Sequence, residues 1–330
     1  MSNLAVLAAA LVAALAAAGY FMSRMPGTSF RGPLPSPTPA ESHLAERLQN
    51  HVAILAERFG ERHIWQFDNL QETAAYIETE FLQAGLDVRS ISYRVENREV
   101  RNLEAEIRGK DRSEEVILVG AHYDTVPGTV GANDNGSGIA VLLELARHFS
   151  ARQPSRTLRF VAFVNEEPPF FKTDRMGSRV YVEQGLHENE DIIGMLSLET
   201  IGYYSSEPGS QKFPLPLLRL FYPDRGDFLA MIGNLASLQL LKRSLQAFRH
   251  EVDFPSEGMA APSWLAGVDW SDHGSFWKIG VPAIMVTDTA LFRYPYYHDS
   301  GDTPDKLDYQ AMARVTLGLQ AVIDSLDRNL

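Results

Sequence analysis

Residues 119–134 read VGAHYDTVPGTVGAND, and the pattern of this stretch decides how the rest of the chain is organised. A short apolar run, residues 116–119, ends in a Gly-Ala step and then presents His122 and Asp124 one residue apart. Beyond two glycines and a proline, Asp134 follows in GANDNGSGIA. The pattern predicts a buried strand ending in an imidazole, then a glycine-rich loop that offers a carboxylate at the mouth of a helix. Open α/β sheets gather ligands on such loops, at the carboxyl ends of parallel strands.

Outward from this stretch the same grammar repeats. Residues 158–164, LRFVAFV, show no polar alternation and so predict a strand covered on both faces, running into Asn165-Glu166-Glu167. Residues 192–198 predict a strand that delivers Glu199. Residues 281–286 predict another, followed by a loop that reaches His298 in YYHDSGDT. Residues 88–95 and 100–107 read as paired edge strands with a turn near Asn97, and residues 228–232 as a further strand. Helices are predicted over residues 70–84, 137–149, 177–184, 236–248 and 309–326. The first helix opens on a capping box, Thr38 with Glu41 and Pro39 at the first helical position. Leu44, Leu48, Val52, Leu55 and Phe59 line one face of it, and Gly60 stops it. Strands alternating with helices predict a three-layer α/β/α domain around a mostly parallel central sheet. His43, His51 and His63, lacking a carboxylate pattern around them, read as surface residues, and residues 253–267 as a loop rimming a pocket.

Composition narrows the function. The 330 residues are 45% hydrophobic, enough for one large domain. Asp and Glu number 42 against 30 Lys and Arg, for a net charge of −12, which argues against nucleic acid or an anionic membrane surface as the main partner. Cysteine is absent, which removes disulfides, thiolate zinc sites and cysteine nucleophiles. Residues 4–22 form an uncharged run of Ala, Leu and Val, just long enough to span hydrocarbon. The expectation is a transmembrane anchor over residues 1–23, with a cleaved signal segment as the alternative. Residues 24–38 then form a proline-rich tether and residues 39–330 the catalytic domain. Arg24 and Arg31 favour a cytoplasmic domain by the positive-inside tendency. Large domains are translocated regardless of charge, and an extracytoplasmic, membrane-anchored domain is the expectation.

His122, His298, Asp134, Glu166, Glu167 and Glu199 all stand at a predicted strand end or in the loop after it. A single carboxylate there is ordinarily a helix cap or a solvated residue. Six together offer imidazole nitrogens and carboxylate oxygens, the donor set of Zn²⁺ or a similar divalent ion. Five ligands with one bridging carboxylate suffice for two ions about 3.5–4 Å apart. Glu166 and Glu167, adjacent at a strand end, point in different directions, so one can bind metal while the other faces the reacting molecule.

With GAHYDT, GANDNGSG, NEE, LSLETIGY, SDHGSF and YHDSGDTPDKLD in this order, the chain resembles the secreted and membrane-bound zinc aminopeptidases. Glutamate carboxypeptidases, glutaminyl cyclases and the transferrin-receptor ectodomain are relatives of that family. The resemblance implies two zinc ions bridged by Asp134, with His122 and Glu167 completing one and Glu199 and His298 the other. It implies Glu166 as general base, Asp124 as the carboxylate behind His122, and a cis peptide between Asp134 and Asn135. Glu199 departs from the aspartate usual at its position. Asp272 and His273, in SDHGSF, are candidates for the substrate site. The activity implied is peptide hydrolysis from an amino terminus. A single-zinc glutaminyl cyclase and a non-catalytic ectodomain are the alternatives.

Overall fold

The computed structural model describes residues 24–329. The apolar run on which the anchor reading rests lies outside them, and no helix among the described residues is long and apolar enough to cross a membrane. Eight strands form one sheet: β1 Val88–Val95, β2 Arg98–Ile107, β3 Arg112–His122, β4 Arg156–Phe163, β5 Asp191–Glu199, β6 Leu229–Gly233, β7 Ser256–Ala260 and β8 Ala283–Thr287. Their spatial order is β1-β2-β4-β3-β5-β8-β6-β7. The pairs among β4, β3, β5 and β8 are parallel, as is β6 with β7, while β1–β2, β2–β4 and β6–β8 are antiparallel. The sheet is therefore mixed rather than mostly parallel, with the parallel strands at its centre. The reason lies in the connections. β1 and β2 are joined by a tight turn at Glu96 and Asn97, both with positive φ (49° and 63°), the conformation of a two-residue hairpin. A hairpin reverses direction, which a helical crossover does not.

Alternation along the central strands separates two cores. Ile117, Val119 and Ala121 of β3 and Leu158, Phe160 and Ala162 of β4 face the larger one. Helices α1 (Pro39–Ala53), α2 (Phe67–Gln83), α3 (Gly138–Ser150), α5 (Leu238–Glu251) and α7 (Tyr309–Asn329) contribute to it. Val116, Leu118, Val161 and Phe163 point the other way, toward Tyr181, just after the short helix α4 (Gly177–Val180), and Phe276 of helix α6 (His273–Lys278). The capping box at Thr38 forms as its sequence predicts, with Glu41 reaching back to the Thr38 amide.

Two expectations change. Residues 256–260 are a strand at the sheet edge rather than loop, paired with β6. His51 and His63 are buried. Tyr76 Oη lies 2.6 Å from His51 Nδ1, and Glu144 lies 3.3 Å from its Nε2; Glu61 lies 3.0 Å from His63 Nε2. The carboxylate partner of His51 lies 93 residues away, on a helix that no local pattern connects to it, whereas that of His63 is two residues before it. Residues 24–38 have no regular structure but are held against the domain. Met25 packs on the main core, Arg249 donates to the Pro26 carbonyl, and Ser29 Oγ accepts from the Ser256 amide.

The loop between β3 and α3 is fixed by one side chain that sequence periodicity gives no reason to notice. Arg62 is buried, and its guanidinium donates to the carbonyls of Leu55, Gly60, Tyr123, Val130 and Gly131 at 2.6–2.9 Å. Burial lowers its pKa to about 10, against the pull of Asp302, Asp124 and Asp134. Replacing Arg62 with Leu strands these carbonyls without a donor, at roughly 1–3 kcal/mol for each one that stays dry. Urea titration of the Arg62→Leu variant is expected to show a loss of at least about 3 kcal/mol with an unchanged m-value.

Candidate metal centre

The four central strands are parallel, so their carboxyl ends open on the same side of the sheet. His122 is the last residue of β3 and Glu199 the last of β5. Beyond β4 and Val164, Asn165 adopts a left-handed backbone (φ 57°), which Asn tolerates better than most residues. The chain direction breaks there, and Glu166 and Glu167 follow. Asp134 comes from the glycine-rich loop after β3, beside a cis peptide to Asn135. His298 lies in the loop after β8, again with positive φ (57°).

These six side chains meet. His122 Nε2 lies 3.3 Å from Asp134 Oδ1 and 3.3 Å from Glu199 Oε2. His298 Nε2 lies 3.1 Å from Asp134 Oδ2 and 3.2 Å from Glu167 Oε1. Two donors held at about 2.0–2.1 Å from one tetrahedral ion stand about 3.3 Å apart, which is the spacing seen in both sets. Asp134 belongs to both, one oxygen to each. Neither of its oxygens receives a hydrogen bond although both are buried. A buried carboxylate without donors is costly, and cations between it and the two imidazoles would satisfy it. The donor set therefore fits divalent metal.

The partition differs from the one the resemblance implied. His122 goes with Glu199, and His298 with Glu167. Sheet register explains it: Gly120 on β3 lies opposite Ser197 on β5, so two residues later the two strands end with His122 beside Glu199. Glu167 stands four residues past Phe163, the residue paired with His122 on β4, and is carried toward His298. Glu166 lies outside both sets that share Asp134, with Oε2 4.0 Å from His122 Nε2; it also falls within ligand reach of His122 and Glu167 together.

Surrounding groups hold this arrangement. The Asp124 carboxylate accepts from the amides of Glu166 (3.0 Å) and Glu167 (3.1 Å). His122 Nδ1 faces the Asp124 carbonyl at 3.2 Å, with the carboxylate at 3.6 Å. Asp124 thus clamps the backbone of the two glutamates as well as standing behind the imidazole. Asp302 accepts from the amides of Asn133 and Asp134 at 2.8 and 3.1 Å, and Ser271 donates to Glu199 Oε2 at 2.7 Å. Asp302 and Ser271 lie in the motifs that contain His298 and Asp272, so their positions were visible in sequence, though their roles were not. Asp272 is buried near the cluster, with neither oxygen hydrogen-bonded. His273 is buried, its Nε2 lies 2.8 Å from the Val268 carbonyl, and it packs edge-on against Trp277.

The electrostatics follow from crowding. Burial raises the pKa of Glu166 well above the usual carboxylate range, and Glu167 and Glu199 add to it against the pull of His122. Burial and then Asp134 push Glu167 up to about 8. Glu199 is raised chiefly by burial, and Asp272 likewise to about 7. Burial opposes protonation of the imidazoles, but the carboxylates outweigh it. They lift His122 well above its ordinary value, Glu199 foremost, and Asp134 and Glu167 lift His298 to about 10. Asp134 alone is lowered, because His122 and His298 outweigh its burial.

From Glu199 and Tyr297 a cleft extends across the face of β6, β7 and β8 turned away from α5. Ala230, Met231 and Ile232 of β6 line it, and Leu229 and Met231 join the main core. Phe228, Trp270, Met285 and Phe292 make its lining predominantly apolar.

A family model described as peptidase family M28 matches residues 102–323. The uncharacterized protein YfbL of Escherichia coli K12 is 38% identical over 83% of this chain and 86% of its own length. The aminopeptidase YwaD of Bacillus subtilis is 43% identical over 76 residues, 23% of this chain and 15% of that one. The structure of BSAP, a zinc aminopeptidase from Bacillus subtilis, superposes with a TM-score of 0.69 at 16% identity, covering 88% of this chain and 95% of that one, a likeness of fold.

The raised groups set a pH dependence. A group with a raised folded pKa stabilises below its unfolded value and loses that contribution as pH rises through the folded one. Glu167, Asp272 and His298, with values of about 8, 7 and 10, all act in this sense between pH 6 and 9. Asp134 acts in the opposite sense, but only below its ordinary 3.8. Chelator-treated protein is therefore expected to melt at lower temperature at pH 9 than at pH 6. Zinc binds deprotonated ligands, so the rise in Tm on adding it is expected to be larger at pH 8 than at pH 6; scanning calorimetry checks both.

Proposed function

The chain belongs to peptidase family M28, and from that premise we propose that it is a zinc-dependent aminopeptidase. Residues 39–330 are its catalytic domain, joined through residues 24–38 to an anchor or signal segment over residues 1–23. Two zinc ions fit the cluster, one held by His122, Asp134 and Glu199 and the other by Asp134, Glu167 and His298. When bound, the ions supply Lewis acidity, polarising the scissile carbonyl and making water a nucleophile near neutral pH.

The chain's own residues do the rest. Glu166, with its carboxylate beside His122 and outside the two sets that share Asp134, takes the proton from the attacking water and passes it to the leaving amine. Asp124 fixes the Glu166 backbone, so the carboxylate keeps its aim while its charge changes. The apolar cleft beyond Glu199 and Tyr297 receives the side chain of the amino-terminal residue and excludes water from around it.

The observation that carries this reading is the pair of three-donor sets meeting at Asp134. It favours hydrolysis with two ions over single-zinc cyclisation of a glutaminyl terminus, and the complete donor set disfavours a non-catalytic ectodomain. Glu166→Gln is expected to bind zinc at the wild-type stoichiometry while kcat on aminoacyl substrates falls by about 10²–10⁴. Metal analysis and steady-state kinetics on the same preparation check this. Retained turnover would remove Glu166 from the mechanism, and one ion per chain would point to the cyclase.

A further inference from the structure

Residues 263–271 line two cavities of opposite character. Ala266, Val268 and Trp270 line the apolar cleft, whereas Ser263, Asp269 and Ser271 line a second cavity between α4 and α6. The two share no lining residue. Three cations, Lys172, Arg179 and Lys278, stand around the second cavity against the single carboxylate of Asp269. Positive charge is thus in excess there, in a chain whose net charge is −12. The Ser178 and Ser275 hydroxyls, 2.8 Å apart, join the two helices that wall it.

Arg179 gives this cavity its chemistry. It is 8% exposed, and its buried Nε has no hydrogen-bond partner. Among the described residues no carboxylate forms an ion pair with it. Burial lowers its pKa, and Glu183 and Asp269 oppose this only from farther away. Arg159, also buried, differs: its guanidinium donates to both Glu106 and Glu190. Lys172 is taken by Asp269 at 2.7 Å, and burial, then Arg179 and Lys172, lower the pKa of the exposed Lys278. A buried guanidinium without an acceptor is unfavourable. Its planar fork of N–H donors matches the oxygens of a carboxylate, sulfate or phosphate.

We propose that this cavity binds a small oxyanion from solution, held by Arg179 with Lys278 in support, and that the bound anion steadies the wall of the substrate cleft. The loop has little apolar anchorage of its own, since Ala261, Leu265 and Val268 form a core of only three buried residues. At its end Ser271 donates to Glu199. An anion seated on Arg179 ties this loop to α4 from the side away from the cleft. The effect on the cleft rests on the aminopeptidase reading, whereas the anion site does not. The carboxylate of a peptide substrate is the competing source of the same chemistry.

Inorganic sulfate, a weak ligand for zinc, is the probe, used with the zinc-loaded full chain. In equilibrium dialysis its binding is expected to weaken at least about tenfold in Arg179→Met. In Lys278→Gln, at an exposed position, the loss is expected to be about two- to threefold. Equal binding by wild type and Arg179→Met overturns the proposal. Removing an unpaired buried charge strands no partner, so the Tm of Arg179→Met in sulfate-free buffer is expected to equal or exceed that of wild type. A lower Tm shows that the guanidinium already serves the fold, and also overturns it. With an apolar aminoacyl amide as substrate, sulfate is expected to lower KM about twofold or more in wild type and not in Arg179→Met. An unchanged wild-type KM overturns the link to the cleft. Competition of sulfate with a free-acid dipeptide but not with its amide makes the occupant a peptide carboxylate and overturns the dissolved anion. Wild-type protein that binds sulfate through Arg179 yet hydrolyses neither substrate overturns the peptidase reading instead, so the two failures are distinct.

Discussion

Four buried carboxylates within reach of one another are the constraint on which this structure turns. Asp134, Glu166, Glu167 and Glu199 are each no more than 5% exposed, and most of their pKa values are driven upward by burial and by one another. Such a cluster is unfavourable unless positive charge enters it. His122 and His298 supply part of that charge, and the two three-donor sets around Asp134 have the spacing to receive metal for the remainder. The unfavourable electrostatics of the bare protein and its affinity for cations are one property seen from two sides.

Holding the carboxylates together requires backbone that does not relax. Positive φ occurs at Asn165, Thr200 and His298, each a site residue or next to one, and for a β-branched threonine that conformation is costly. The surrounding hydrogen bonds stabilise it. Asp124 grips the amides of the glutamate pair, Asp302 those of the Asp134 loop, and Arg62 gathers the carbonyls of the loop between His122 and Asp134. These groups touch the site through the backbone, so their contribution is to position rather than to react.

The sheet is covered unequally. Long helices fill the face that holds the main core, but at the β6–β7 edge the opposite face is roofed by loops. That uncovered face becomes the apolar cleft, continuous with the carboxylate cluster at Glu199. Residues 25–29 meet the same edge from the helix-covered face, where Met25 packs against Gly258 and the main core.

The sequence alone determined most of the local elements and singled out the candidate site residues. The apolar run over residues 160–164 reads as a buried strand, the Thr38–Glu41 pair can cap a helix without help from elsewhere, and His122, Asp134, Glu166, Glu167, Glu199 and His298 each stand at a strand end or in the loop after it. Tertiary structure decided which of them are neighbours. The pairing of His122 with Glu199 comes from the register of β3 on β5, and register is a relation between segments that neither segment carries. Likewise Arg62, His51 and the β7 strand owe their roles to partners distant in sequence, and the antiparallel edges of the sheet to how a hairpin packs. Local pattern records what a residue can do, while the distances that make it do so are set by long-range packing.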